Sequence, residues 1–300
     1  MSKQRIALVT GGTGFIGVNL IKRLILSGWI VHLIVRQKSD LNVLKGSIKN
    51  ITVHKTDGHT SSIVKIIAKS KPIIVFHLAS LFLSGHMPRD IVPLINSNVK
   101  FSTQLLEAMN ESGIKNIVNT GTSWQHFENN AGSPVNLYAA TKQAFESILQ
   151  YYIEANFFKV ITLKLFDTYG PDDPRPKLFH LLEKISKTQE PLAMSPGEQL
   201  IDIVHVDDVI NAFMIAAERL LTLQVTNHDR YAVSSGDPIS LKKLVSIYEK
   251  ETNIKLSIQW GGRPYRDREV MTSWSRGEIM PGWAPKVSLS NGIKQMNCSK

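Results

Sequence analysis

The chain has 300 residues, 43% of them apolar and 20% charged, so it can bury a sizeable core and is neither disordered nor fibrous. Lysine and arginine number 35 against 25 aspartates and glutamates, a formal net charge of +10 that favours an anionic partner. The single cysteine, Cys298, excludes an internal disulfide framework, a cysteine zinc site and an iron–sulfur cluster, and points to a reducing compartment.

The amino terminus carries a short apolar run that breaks at glycines, too early for the core of a secretory leader. The longest apolar stretches elsewhere, such as Ile73–Phe76 and Leu78–Leu83, fall far below the roughly 20 residues that span a bilayer. A cytoplasmic protein without a membrane segment is expected.

Strand-length apolar runs at Arg5–Val9, Ile30–Val35, Ile51–Lys55 and Ile73–His77 alternate with helix-length segments at Gly14–Ser27 and Ser61–Ser70. This alternation predicts βαβ units feeding a parallel sheet, whose strands are apolar nearly throughout because helices cover both faces. In the first helix Ile16, Leu20, Ile21, Leu24 and Ile25 recur at helical spacing, and Gly28 stands where a left-handed residue ends it. A strand at Ile117–Thr120, a helix near Leu137–Glu154 and a strand at Val160–Leu165 continue the pattern. Past Tyr169 prolines crowd the chain at 171, 174 and 176, and regularity returns with a strand at Ile203–Val206 and a helix at Val209–Arg219. The expected architecture is α/β: a doubly wound parallel sheet over residues 1–168, to which 202–222 returns, with a smaller, discontinuous substrate lobe over 169–300.

Thr10-Gly11-Gly12-Thr13-Gly14-Phe15-Ile16-Gly17 directly follows a strand and opens a helix. Gly11 permits a tight turn, Gly14 lets backbone approach a pyrophosphate, and Gly17 lets the helix pack closely on the sheet. Thr13, Phe15 and Ile16 complete the cradle, where free helix N–H groups and partial positive charge meet phosphate. A ligand-free glycine turn is the alternative, and strand, spacing and helix together weigh against it. At the end of the second strand a site for NAD wants a carboxylate, whereas NADP wants a cation for its 2′-phosphate. Arg36 and Lys38 stand there, so NADP(H) is expected; NAD(H) stays open because Asp40 is near and both cations could be ordinary surface residues. Asp57, followed by Gly58, is placed to accept from an adenine amino group, with an exposed loop aspartate as the competing reading.

Tyr138 and Lys142 sit at i and i+4 on one helix face. An ammonium beside a phenol, whose ordinary pKa is about 10, favours phenolate and moves it toward working pH for proton exchange with an alcohol. A hydroxyl to hold the substrate oxygen is expected just past the strand in Asn119–Trp124, with Thr122 first and Ser123 second; capping of backbone is the competing role. The cations are scattered, with no basic run, so nucleic-acid binding is not expected. Arg263, Arg266, Arg268 and Arg276 form the densest cluster: Arg266 reads as directed at a diphosphate, or the four pair with Asp267, Glu269 and Glu278. The nine histidines show no metal-ligand spacing, and His77 reads as a packing residue at a strand end.

Nearly the whole sequence resembles the extended short-chain dehydrogenase/reductases of the NAD(P)-dependent epimerase/dehydratase type, built on the Rossmann fold. The likeness is carried by Thr10–Gly17, the His77-Leu-Ala79 triplet, Asn98 ahead of a helix at Val99–Met109, the Tyr138/Lys142 pair, Tyr169-Gly-Pro171, His205–Val209 and Gly282-Trp283. Within that family Gly197–Val209, Tyr265–Met271 and Asp167 are similar to reductases of nucleotide-activated 4-keto-6-deoxy or 3,6-dideoxy sugars, the CDP-abequose and CDP-paratose synthases. The resemblance implies that Tyr138 gives a proton and the nicotinamide a hydride to a C4 ketone, with Thr122 orienting the carbonyl and Lys142 also binding the nicotinamide ribose. It further implies cofactor contacts from Leu78, Ala79, Ser80, Thr120 and Leu165, substrate contacts from Asp167 and from an Arg266 that grips the diphosphate, and a homodimer through the helices at Val99–Met109 and Tyr138–Glu154. One departure stands out: Ile201 occupies the position where the family has a diphosphate-binding arginine. Ser123-Trp124 after Thr122, in place of an acid pair, disfavours dehydration, and Cys298 is too near the terminus for a 3,5-epimerase. A nucleotide-sugar 4-epimerase using NAD is the second reading, and a silent NADPH-binding sensor or scaffold the third.

Overall fold

The computed structural model describes residues 4–188, 190–225 and 227–298; residues 1–3, on which the reading of the amino terminus partly rests, lie outside the described residues. Six strands, β1 (Ile6–Thr10), β2 (Ile30–Arg36), β3 (Ile51–Thr56), β4 (Ile74–His77), β5 (Asn116–Thr122) and β6 (Lys159–Leu165), join strand His228–Val233 in one parallel sheet. The spatial order is His228–Val233, β6, β5, β4, β1, β2, β3. Chain direction across the sheet therefore reverses at β1 and β4, and the crevice beyond their carboxyl ends is where such a sheet binds ligands.

Helices cover both faces. On one side α1 (Phe15–Leu26) buries Leu20, Ile21 and Leu24 in a core that continues through Val9, Leu33 and Phe76 to Phe213 on a later helix. The opposite core is built by α2 (Thr60–Ser70), a helical run α3 (Ile91–Ile95) to α4 (Phe101–Glu111), and α5 (Leu137–Asn156), with Ile63, Leu105, Leu106, Phe145 and Leu149 fully or nearly fully buried. Strands covered on both sides account for the continuous apolar runs. Between α3 and α4 the helix widens into one π-type stretch at Asn96–Lys100, which turns the buried Asn98 toward the loop after β4. The helical run is thus longer at its start than Val99–Met109.

A third core assembles α6 (Leu178–Thr188), α8 (Leu241–Thr252) and α9 (Leu289–Cys298) around Tyr169, Leu182 and Leu244. Between α6 and α8, α7 (Val206–Leu221) returns to the sheet face through Val209, Phe213 and Ala216. His205 caps its start, accepting from Asp207 N at 3.3 Å. Asp208 O accepts from Trp283 Nε1 at 2.9 Å and Asp208 Oδ2 from Val287 N at 2.9 Å, so the His205–Val209 and Gly282-Trp283 motifs fasten the C-terminal segment to α7. Of the 202–222 segment α7 packs on the sheet, whereas strand Ile203–His205 pairs with Asp167–Tyr169 outside it, and the sheet takes in strand His228–Val233 instead. That strand escapes notice because Asp229 and Arg230 interrupt its apolar pattern; it pairs along its length with β6, and its other side meets the chain only at a single bridge between Ala232 and Ile279.

Candidate active site

The turn after β1 fits a pyrophosphate cradle. Gly11 has φ +73°, and a Cβ there would lie 2.5 Å from Ala79 N, while one at Gly17 would lie 2.3 Å from Gly11 O. Protein packing thus explains these two. A Cβ at Gly14 would meet only Gly11 O, at an ordinary 3.4 Å, so the room at Gly14 is left to a ligand. Gly14 is the N-cap of α1 without a side-chain bond, and no acidic residue occupies the first turn, which leaves the helix N–H groups and their partial charge open. Thr10 Oγ1 accepts from Ala79 N at 3.3 Å and bonds His77 Nδ1 at 2.8 Å, and His77 Nε2 meets Ser102 Oγ at 2.9 Å. Burial, and then Lys142, push His77 down to about 3; it is neutral and fully engaged in packing, as its place at a strand end suggested.

Asn98 fixes the next wall. Its Oδ1 accepts from Leu81 N at 2.7 Å and Ser80 Oγ at 3.2 Å, and its Nδ2 donates to Leu81 O at 3.0 Å and Thr141 Oγ1 at 2.9 Å. The loop after β4 is thereby tied to α5. Asn136 caps α5, accepting from Ala139 N at 3.0 Å while donating to Leu83 O and Ser84 O, which sets Tyr138 at the second helical position.

One cavity at the carboxyl end of the sheet is lined by Gly11, Gly14, Phe15, Ile16 and Gly17, by Leu78, Ser80, Thr120 and Leu165, and by Thr122, Tyr138 and Lys142. Thr120 Oγ1 is buried there with no partner among the described residues. A second cavity shares Ser123, Trp124, Phe166 and Asp167 as a common wall and extends into the C-terminal lobe, past Ile201 and Arg266 to Trp274. Thr13 sits half-buried in the glycine turn, and Ala79 packs against Gly11. Arg36, Lys38, Asp57 and Gly58 are exposed at the ends of β2 and β3, and neither cation forms an ion pair among the described residues. Asp40 is occupied, accepting from Asn42 N at 2.9 Å, and Asp57 accepts from His59 N at 2.9 Å, a bond that holds its carboxyl below the ordinary range. Of the pairing read for the arginine cluster, Arg266 makes the bond to Glu269. It lines the second cavity, stacks 5.8 Å over the Trp124 ring, and donates twice to Glu269 at 3.0 Å.

The electrostatics of the pair differ from the expectation. Tyr138 lines the cavity half-buried, edge-on to Phe82 at 4.9 Å, and loss of water pushes the phenol up to about 12; the Ser80 hydroxyl opposes this and Asp167 adds to it. Spacing places Lys142 one turn along the helix, but burial governs the phenol, and Lys142 is not among the groups that shift it. Lys142 is buried at 3% exposure, and that burial pulls it down to about 8, with Glu146 raising it and Lys164 lowering it further. Glu146 itself is held ionised by Lys164 Nζ at 2.6 Å and Gln125 Nε2 at 2.9 Å.

Gln125, unremarked in sequence, reaches the site from this buried network: its Oε1 accepts from Thr122 N at 3.0 Å and so fixes the backbone of the cavity-lining threonine. Thr122 Oγ1 also accepts from Trp124 N at 3.3 Å, the capping role that the loop allowed, and keeps its own proton to donate. Arg175 and Lys177 enter the first cavity from the proline-rich loop, Lys177 pairing with Asp167 at 3.1 Å. Only a contact across the fold could reveal these three. Among the described residues no group of three or more His, Cys, Asp or Glu side chains is placed to hold a metal, and no helix is long and apolar enough to cross a membrane.

A model of the family described as "NAD dependent epimerase/dehydratase family" matches residues 7–227. The chain belongs to that family. It is 26% identical over 292 residues to a CDP-abequose synthase of Salmonella muenchen, covering 96% of each chain. It is 24% identical to UDP-glucose 4-epimerase 2 of Oryza sativa subsp. japonica, over 95% of this chain and 79% of that protein. Its fold is similar to the crystal structure of a Bacillus cereus UDP-glucuronic acid 4-epimerase in complex with UDP-glucuronic acid and NAD, with a TM-score of 0.86, 22% identity and 98% of each chain covered. Family membership makes the protein a Rossmann-fold, extended-type short-chain dehydrogenase/reductase, in keeping with the sheet order and the glycine turn.

Proposed function

We propose that this family member reduces the C4 ketone of a nucleotide-activated 4-keto-deoxysugar, with NADPH as reductant. The observation that carries the reading is the convergence of Thr122, Tyr138 and Lys142 on the cavity that also holds the glycine turn. A bound reduced nicotinamide supplies the hydride. With the phenol pushed up to about 12, its proton is in place at neutral pH, the state from which ketone reduction starts. Tyr138 gives that proton to the oxygen forming at C4, Thr122 donates to the same oxygen and orients the carbonyl, and Lys142 holds the nicotinamide ribose. Leu78, Ala79, Ser80, Thr120 and Leu165 enclose the cofactor, and the C-terminal lobe, with Ser123, Asp167 and Arg266, receives the sugar nucleotide. The similarity to CDP-abequose synthase supports a deoxysugar substrate. The exposed Ile91, Val92 and Ile95 on α3, and the exposed Tyr151 farther along on α5, support a homodimer through these helices.

A 4-epimerase would use the same three residues, and the similarity to UDP-glucose 4-epimerase 2 favours it as the second reading. Supplying a 4-keto sugar nucleotide with NADPH separates the readings. A reductase oxidises one NADPH per ketone consumed; an epimerase interconverts 4-hydroxyl isomers without net consumption, and a sensor binds without turnover.

Two measurements bear on details. Arg36→Asp is expected to lower the ratio of kcat/KM for NADPH to that for NADH by about ten-fold or more, the scale of a lost charge-assisted bond to the 2′-phosphate. An unchanged ratio assigns Arg36 to the solvated surface. Because burial draws Lys142 down to about 8, kcat/KM for reduction is expected to be level on the acid side of that value and to fall with unit slope above it, as the ammonium loses its proton. A profile that rises through the same region shows the neutral amine to be the working form.

A further inference from the structure

The loop that joins Tyr169 to α6 brings Arg175 into the cavity of the glycine turn, and we propose that its guanidinium clamps the pyrophosphate of the bound dinucleotide. The inference rests on the dinucleotide reading of that cavity and adds to it a cation from outside the glycine turn.

The guanidinium carbon lies 4.6 Å from the centroid of the Phe15 ring, and Phe15 is the first residue of α1, beside the room left at Gly14. Arg175 is held there on three bonds: Nε to Asp173 Oδ1 at 2.7 Å, Nη2 to Asp173 Oδ2 at 2.6 Å, and Nη2 to Thr168 O at 2.7 Å. Nη1 makes no hydrogen bond among the described residues. A fork fixed on one side by a carboxylate has little rotamer freedom left to lose, so its remaining N–H groups bind an anion at low entropic cost.

The charges in the cavity favour this assignment. A pyrophosphate carries two negative charges, and the α1 N-terminus supplies only about half a positive charge. Of the three cations that line the cavity, Lys142 lies on the Tyr138 side, one helical turn away, and Lys177 packs over Phe82 and pairs with Asp167. Arg175 also has a carboxylate partner, Asp173, but it alone packs on Phe15 at the glycine end. The diphosphate of a sugar nucleotide is the other anion of this chemistry, but Arg175 packs on the glycine turn and is absent from the lining of the second cavity.

The test is calorimetric titration of the full chain with NADP+ and NAD+ separately, and with CDP and UDP, alongside thermal unfolding of each ligand-free variant. R175Q is expected to weaken both dinucleotides by the same factor, about ten- to a hundred-fold, because the pyrophosphate is common to them. CDP and UDP affinities and the ligand-free Tm stay at wild-type values. R175K, which keeps the charge but not the planar fork, recovers only part of the loss. Dinucleotide affinities equal to wild type in R175Q overturn the proposal, as does a loss confined to CDP and UDP. Should R175Q be less stable, R175K carries the test, and a wild-type Kd for both dinucleotides in R175K overturns it. A wild-type chain that binds neither dinucleotide fails the reading of the cavity itself, a result distinct from an indifferent Arg175.

Discussion

Tyr138→Phe is expected to lower turnover by about 1,000-fold, the scale of one positioned proton donor, while dinucleotide affinity changes by no more than about three-fold. The substitution removes a single oxygen. The ring stays packed edge-on against Phe82 at 4.9 Å, and the backbone of α5 remains fixed by Asn136 and Asn98, so neither the fold nor the glycine turn is disturbed. What is lost is the proton held on the phenol, and neither Thr122 nor Lys142 replaces it: a hydroxyl is a far weaker acid, and the ammonium is committed to the ribose. Parallel measurement of single-turnover rate and dinucleotide Kd checks this. Equal losses in both would make Tyr138 a structural residue, and retained turnover would place the donor elsewhere.

Lys142→Met is expected to strike both quantities, lowering kcat by about 100-fold or more and weakening dinucleotide binding by about ten-fold, since a charge-assisted bond to the ribose disappears together with the cation beside the phenol. Stability moves the other way. An ammonium drawn by burial from its ordinary 10.5 down to about 8 opposes folding when charged, by at most about 3 kcal/mol. Folded protein binds the proton less tightly than unfolded chain, so this cost is present in full below the folded value and fades as pH rises from there toward the ordinary one. A methionine of similar length removes the charge, and Glu146 keeps Lys164 as its counterion at 2.6 Å. The Tm of the ligand-free variant at neutral pH is therefore expected to equal or exceed that of the wild type. A marked drop would show that Lys142 holds the fold through Glu146 rather than serving the cavity.

What sequence revealed and what it hid divide along physical lines. The glycine turn was legible because strand, spacing and helix are contiguous, and the Tyr138/Lys142 pair because four residues on a helix are neighbours whatever surrounds them. Burial is not local. Spacing alone put the phenol on a path toward working pH, whereas the folded chain excludes water and drives it up to about 12. Strand His228–Val233 was missed because Asp229 and Arg230 break its apolar pattern at the edge of the sheet, where only β6 pairs along its length. Gln125, Arg175 and Lys177 have no signature of their own. Gln125 matters through Glu146, 21 positions away, and Arg175 through Phe15, near the opposite end of the dinucleotide-binding half of the sequence. Arg266 left two readings open in sequence, and only the loop geometry shows it bonded to Glu269 while lining the second cavity.

Transfer of deuterium from C4-deuterated NADPH tests the central claim most directly. Incubated with a 4-keto-6-deoxy sugar nucleotide, the wild-type chain is predicted to give a product carrying one deuterium at C4 of the sugar, with one equivalent of oxidised cofactor released. Label that stays with the cofactor, or epimerisation of a 4-hydroxyl sugar nucleotide with no cofactor released, would contradict it.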